Sequence, residues 1–131
     1  MDGAYALPEI SDKTENGDDR LGTVRIAPQV LATIARLAAL EVEGVVRMRR
    51  DLGEDVDRLF KGLAGGEGVS VDVIDGAVTV DLSLVGAPDV NLYRAGRQVQ
   101  ARVARAITDM VGMPVLAVNV HFVEIDLPAE E

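Results

Sequence analysis

Apolar and polar residues alternate on both sides of an Asp-Gly pair, and this pattern is the clearest structural signal in the chain. Asp75-Gly76 is typical of a two-residue type I′ turn, which joins two antiparallel strands. Such a turn makes every pair on one face apolar: Val73 with Val78, Val71 with Val80, and Val69 with Leu82. The pairs on the other face are polar: Asp72 with Thr79, and Ser70 with Asp81. A shift of one residue would exchange the two faces, so the pattern predicts a β-hairpin in this register.

Two longer segments repeat apolar residues every three or four positions, which predicts α-helices over residues 28–43 and 91–111. Pro28 suits the first turn of a helix, and Gly44 and Gly112 follow the predicted ends, where left-handed residues are common. The first helix is apolar around most of its circumference. We therefore expect it to be deeply buried, or to be covered in part by another subunit.

Short alternating segments at both ends of this pattern predict two further strands. Residues 23–26 read as a first strand, whereas residues 45–68 are expected to be irregular apart from a short helix over 54–63. After Pro114, a last strand is expected to place four apolar residues on one face: Leu116, Val118, Val120 and Phe122. Its other face carries Ala117, Asn119 and His121.

The resulting order β-α-β-β-α-β defines the fold class. It predicts an α+β two-layer sandwich, with two long helices on one face of a small mixed sheet. The opposite face of the sheet, which is mostly polar, is expected to remain open. The strand order is not determined by this reasoning.

The chain of 131 residues has a net charge of −9, and this charge is concentrated at its ends. Residues 1–20 hold six acids and two bases, and residues 124–131 hold four acids and no base, so the body between them is nearly neutral. We therefore expect a disordered acidic tail over 1–21, one α+β domain over 22–123, and a second acidic tail over 124–131.

Composition also bears on location. The chain has no cysteine, and no apolar run reaches the roughly 18 residues that a membrane-spanning helix needs. The N-terminus lacks the basic and apolar regions of a signal peptide. We expect a cytoplasmic protein that reaches the inner face of the cell membrane only through a partner and does not insert directly.

Candidate catalytic chemistry is limited to one histidine, His121. A catalytic triad or a histidine-ligated zinc site would have to use it, yet the alternation places it on the polar sheet face beside Asn119. It is interpreted as an exposed strand residue or, together with Asp72 or Asp81, as a weak metal-binding or pH-sensing point. The sequence thus predicts no catalytic, metal-binding or cofactor-binding residue, and no enzyme.

Charged residues near the helices form the candidate interaction surface. Glu41 and Glu43 lie two residues apart near a helix end and point to different sides, so they are interpreted as solvent or interface charges, with the basic cluster at 47–50 as a candidate partner. The second predicted helix carries four arginines: Arg94, Arg97, Arg102 and Arg105. They form either a solvated face or a docking surface for an acidic partner.

Nucleic acid is a less favoured ligand for these arginines, because aromatic stacking platforms are absent and both tails are acidic. Residues 62–65 match the bare GxxG of KH domains, but the loop is followed by a strand rather than a helix and lacks basic neighbours.

Five segments in order resemble the alkaline shock protein family, also called envelope stress response proteins. They are GTVRIAPQV at 22–30, AALEVEGV at 38–45, QVQARV at 98–103, MVGMPV at 110–115 and VNVHF at 118–122. The chain departs from the family pattern at Ala27, where a serine-like cap is usual, and at residues 86–90. The resemblance implies a bacterial stress protein that acts near the cell envelope, is recruited there by a membrane-anchored partner, and has no established catalytic residues.

Three functional hypotheses follow. The first is a non-catalytic protein–protein interaction module of the envelope or alkaline stress response, which self-associates or docks to a membrane-anchored partner. The alternative is a nucleic-acid-binding domain that uses the arginine face of the second helix. The third is an enzyme that uses His121.

Overall fold

Two helices and four strands make up the described part of the chain. The computed structural model describes residues 21–50 and 68–128. In chain order the elements are α1 (Pro28–Leu40), β1 (Val45–Met48), β2 (Val69–Ile74), β3 (Ala77–Gly86), α2 (Leu92–Val111) and β4 (Val115–Ile125). Residues 1–20 of the predicted tail, the helix predicted over 54–63, the GxxG at 62–65 and residues 129–131 lie outside the described residues.

The β2–β3 hairpin has the register that the alternation predicts. All five predicted pairs are present, from Val69 with Leu82 to Val73 with Val78. At the turn, Asp75 has φ 53° and Gly76 has φ 78°, which are the left-handed angles of a type I′ turn.

Side-chain and backbone caps define α2. The Asn91 Oδ1 atom accepts a hydrogen bond from the backbone N–H of Arg94 at 2.9 Å, which satisfies one of the free amides of the first turn. At the other end, Gly112 adopts φ 81°, and its N–H donates to the carbonyl oxygens of Ile107 and Thr108. The predicted limits of this helix are confirmed.

α1 is three residues shorter than predicted. It begins at Pro28 but ends at Leu40, and a turn leads from there into β1. Gly44 in this turn has φ 105°, and a Cβ atom added there would lie 2.8 Å from Val90 Cγ2. Glycine is therefore required at this position both for its backbone angle and for close contact with the segment before α2.

β3 is the central strand of a mixed sheet. β2 pairs antiparallel with residues 77–82 of β3, β1 pairs antiparallel with residues 84–86, and β4 pairs parallel along residues 78–86. Because a strand has only two edges, β1 and β2 lie end to end on one edge of β3, and β4 occupies the other edge. The β3–α2–β4 segment is thus a crossover connection between parallel strands.

Both helices pack on one face of this sheet and contact each other. Four alternate side chains of β3 are completely buried beneath them: Val78, Val80, Leu82 and Leu84. Ala35 and Ala39 of α1, and Val99, Val103 and Ile107 of α2, are also completely buried. Within the described residues no polar or charged side chain is buried. The predicted α+β class, with two long helices on one face of a small mixed sheet, is confirmed.

Residues 23–26, predicted to form a strand, have no strand pairing and are exposed. The first strand is instead β1, within a stretch that was expected to be irregular. The edge of β3 beyond the hairpin is occupied by β1, and the backbone N–H of Arg49 donates to the Ser83 carbonyl oxygen at 2.9 Å. This edge is therefore filled by a segment that follows α1 rather than by one that precedes it.

Leu116 does not lie on the apolar face of β4 as predicted. Val115 pairs with Val78 and Ala117 pairs with Thr79, so Leu116 is the extra residue of a β-bulge and is 67% exposed. Val118 is buried and Val120 and Phe122 are half-buried on the helix side, as predicted. A strict alternation cannot anticipate the bulge.

Leu82 and Leu116 provide a matched test of this arrangement. Leu82→Ala removes a completely buried side chain, and we expect a loss of about 2–5 kcal/mol in the free energy of unfolding. Leu116→Ala is expected to change it by less than about 0.5 kcal/mol. Urea unfolding of the two variants measures both values, and a similar loss in both would contradict the bulge.

Candidate functional site

The four predicted arginines spread over the outer side of α2, which faces away from the sheet. All four are exposed. At 100° per residue, Arg94 and Arg105 lie in the middle of this arc, and Arg97 and Arg102 lie at its two edges. We call Arg94, Arg97, Arg102 and Arg105 the arginine arc.

The two edges of the arginine arc have different neighbours. Arg102 Nη1 donates to Glu41 Oε1 at 3.3 Å, so this arginine joins α2 to the end of α1. Arg97 lies at the other edge, toward β4, and its Nη1 atom donates to Gln100 Oε1 at 3.0 Å. The Arg102–Glu41 pair is more than half exposed on both sides and contributes less than about 1 kcal/mol to stability.

Glu41 and the basic cluster at 47–50 were considered as partners, but the structure pairs them with other residues. Glu41 contacts Arg102, whereas Arg47 contacts Asp126 at 3.2 Å and Glu124 at 4.0 Å near the end of β4. Glu43 is exposed in the turn before β1. The two acids therefore do not form a common site.

The open sheet face holds the predicted polar residues. Asn119 Nδ2 donates to Asp81 Oδ1 at 2.9 Å across the β3–β4 ladder. His121 is exposed and lies opposite Ser83 rather than opposite a carboxylate. No group of three or more His, Asp or Glu side chains that could hold a metal ion occurs in the described ranges.

A groove between α2 and β4 was not predicted from the sequence. It encloses about 210 Å³, and its apolar walls are formed by Leu92 and Tyr93 of α2 and by Val120 and Phe122 of β4. Gly96 lies between these walls. Tyr93 is 79% exposed although it is a large aromatic residue.

Two polar side chains close the groove on the helix side. Arg97 lines it, and Gln100 Nε2 donates to the Val118 carbonyl oxygen at 3.1 Å. The groove thus combines an apolar interior with one cationic rim, at the edge of the arginine arc. The signal in the sequence that could have located it is Gly96, a glycine within an otherwise regular helical pattern.

α1 leaves part of its apolar surface uncovered. Leu31, Ile34 and Ala38 are buried, but Val30 is 44% exposed and Leu37 is 53% exposed. These two residues are seven apart and therefore lie on the same side of the helix. The helix is thus neither fully buried nor amphipathic in the usual sense, in keeping with the second of the two expectations for it.

The fold and its surface define a small α+β protein whose polar groups, within the described ranges, all lie at the surface. Residues 16–127 match the model of the alkaline shock protein 23 family, which is described as having a "cell envelope-related function". The chain therefore belongs to this family, and the predicted resemblance to alkaline shock proteins is confirmed. Family membership indicates a function related to the cell envelope.

Two relatives support this assignment. The chain is similar to the uncharacterized protein YqhY of Bacillus subtilis strain 168, with 34% identity over 121 residues that cover 91% of this chain and 90% of that protein. It is also similar to the uncharacterized protein Spy1535 of Streptococcus pyogenes serotype M6, with 31% identity over 77% of each chain. No solved structure matches the chain.

Neither α1 nor α2, the helices of the described ranges, is both long and apolar enough to cross a membrane.

Gly96 and Gly112 form a matched pair for testing the geometry of α2. A Cβ atom at Gly96 would meet Phe122 and Val120 at 3.6 and 3.7 Å, which are ordinary contacts, so Gly96→Ala is expected to stabilise the protein by about 0.5–1 kcal/mol. Gly112→Ala is expected to destabilise it by about 1 kcal/mol, because φ 81° is unfavourable for alanine. Thermal or urea unfolding gives both signs, and a loss of stability in Gly96→Ala would contradict the open space beside Gly96.

Proposed function

We propose that the chain is a non-catalytic protein–protein interaction module that acts at the cell envelope by docking to a membrane-anchored partner. Membership of the alkaline shock protein family supports the location. The observation that carries the docking role is the arginine arc, whose member Arg97 borders an apolar groove. A cationic rim beside a partly buried apolar surface is a common arrangement at protein interfaces.

The charge distribution favours an acidic protein partner. The net charge of the chain is −9, and the arginine arc is a local positive region on a molecule that is otherwise acidic. Such a patch steers association with an acidic surface and raises its rate. Nucleic acid is disfavoured as a ligand, because the overall charge repels phosphates and Tyr93 is the one exposed aromatic side chain on the arc-bearing helix.

Reversing two charges of the arginine arc tests the docking role. In cells that produce the tagged full-length chain, the double variant Arg94→Glu/Arg105→Glu should reduce in-cell crosslinking to a membrane protein, and recovery in the envelope fraction, by at least about tenfold. The matched control is Arg25→Glu/Arg50→Glu, which changes the net charge equally at exposed positions outside α2. Envelope recovery that persists after deletion of the captured membrane protein would contradict the proposal.

The non-catalytic part of the proposal rests on the surroundings of His121. This residue is exposed, it lies opposite Ser83, and the neighbouring Asp81 carboxylate accepts a hydrogen bond from Asn119. A general base needs a substrate-binding environment around it, and the open sheet face offers a flat surface instead.

His121→Ala should therefore leave the cellular function intact. We expect crosslinking to the membrane partner, and growth after a shift to alkaline medium, to equal those of the unchanged chain. The exposed position also predicts a change of less than about 0.5 kcal/mol in stability. A loss of function in this variant, with stability and partner capture retained, would favour an enzyme over an interaction module.

A further inference from the structure

The outer edge of β4 is the starting point for a more specific inference. Within the described residues β4 pairs with β3 alone, so its second edge carries no strand. β4 extends over 11 residues from Val115 to Ile125, which makes it the longest strand of the sheet. An exposed edge of this length offers a row of backbone N–H and C=O groups to another extended chain.

The groove lies directly beside this edge on the helix side. Val120 and Phe122 of β4 form one wall, and Leu92 and Tyr93 of α2 form the other. In an added strand, every second side chain would point toward the helix layer, because successive side chains alternate between the two faces of a sheet. An added strand would thus place alternate side chains in the groove while its backbone pairs with β4.

Gly96 keeps the groove open at a cost to stability. A glycine within a helix costs about 1 kcal/mol relative to alanine. Packing does not require it here, because a Cβ atom would make only ordinary contacts of 3.6 and 3.7 Å with Phe122 and Val120. A glycine that packing does not demand is typical of a place that another chain approaches closely.

Gln100 covers part of the same edge. Its amide Nε2 donates to the Val118 carbonyl oxygen at 3.1 Å, and its Oε1 accepts from Arg97. The side chain therefore occupies a position that the N–H group of an added strand would take. It can be displaced without breaking any backbone pairing, and its displacement would release Arg97 for a new partner.

We propose that a partner protein binds here by strand addition, with an extended segment that pairs with β4, inserts apolar side chains into the groove and presents a carboxylate to Arg97. This inference rests on the proposed function and specifies how docking takes place. Charge complementarity decides the occupant, since the rim contributed by Arg97 favours a carboxylate. Strand addition to a sheet edge beside a helix is an established mode of peptide recognition.

A second copy of the chain fits this edge less well. A closed pair of copies would use the same edge twice, related by a two-fold axis. Both Arg97 side chains would then approach one shared interface, where like charges repel. A heterologous acidic segment avoids this repulsion.

The proposal can be tested with the full-length chain and a fluorescein-labelled synthetic peptide of sequence GVTVTETEG. Every second residue of this probe supplies a valine or a glutamate to one side of the strand. We expect saturable binding in fluorescence anisotropy that weakens with added salt. The peptide GVTVTKTKG, in which lysine replaces glutamate, should bind at least about tenfold more weakly, a difference of about 1.4 kcal/mol. Equal binding of both peptides, or no saturable binding of the first at millimolar concentration, would overturn the proposal.

Variants of the groove locate the binding site. Gly96→Leu fills the groove and should weaken peptide binding at least about tenfold, whereas Ala101→Leu, which adds the same side chain at an exposed position of α2, should change it less than about twofold. Arg97→Gln should weaken binding about fivefold and reduce its salt dependence, with Arg25→Gln as the matched control. Binding that Gly96→Leu and Arg97→Gln leave unchanged would rule out this groove.

Amide hydrogen exchange distinguishes strand addition from other modes of binding. The peptide should slow exchange of β4 amides at least about tenfold, because added backbone hydrogen bonds protect them. Peptide binding without this protection would overturn strand addition. In cells, loss of partner capture in Arg94→Glu/Arg105→Glu but not in Gly96→Leu would contradict the groove and leave the docking role of the arginine arc in place.

Discussion

The burial of alternate side chains along β3 is the constraint on which the other elements depend. Val78, Val80, Leu82 and Leu84 are completely buried on one face, and both edges of the strand are paired. The two helices divide the task of covering that face, since α1 contacts β1 and β2, and α2 contacts β4. The position of α2 over β4 follows from this division, and so does the groove where its cover of β4 ends.

Much of this architecture could be predicted from local patterns. The hairpin was accessible because Asp75-Gly76 fixes a turn and the turn fixes a register, so one local feature determines every pair between β2 and β3. The limits of α2 were accessible because Asn91 and Gly112 act through short-range hydrogen bonds. In each case the deciding interaction lies within a few residues of the chain.

The features that were mispredicted depend on distant partners. Residues 23–26 have strand-like composition, but β1 occupies the edge of β3 beyond the hairpin, and no local pattern reports that competition. Leu116 fits the alternation, but the bulge opposite Val78 and Thr79 exposes it. The candidate site shows the same division: Arg97 was identifiable from α2 alone, whereas its place beside Val120 and Phe122 depends on the crossover from β3 to β4.

The two edges of the sheet differ in a way that limits assembly. One edge consists of β1 and β2, which have four and six residues and are separated along β3, while the other is the continuous strand β4. Short, interrupted edge strands are poor templates for further pairing. A segment that joins at β4 would consequently be a terminal addition, because the opposite edge cannot accept a second one of comparable length. The stoichiometry would be one segment per chain, and the sheet would not grow into a filament.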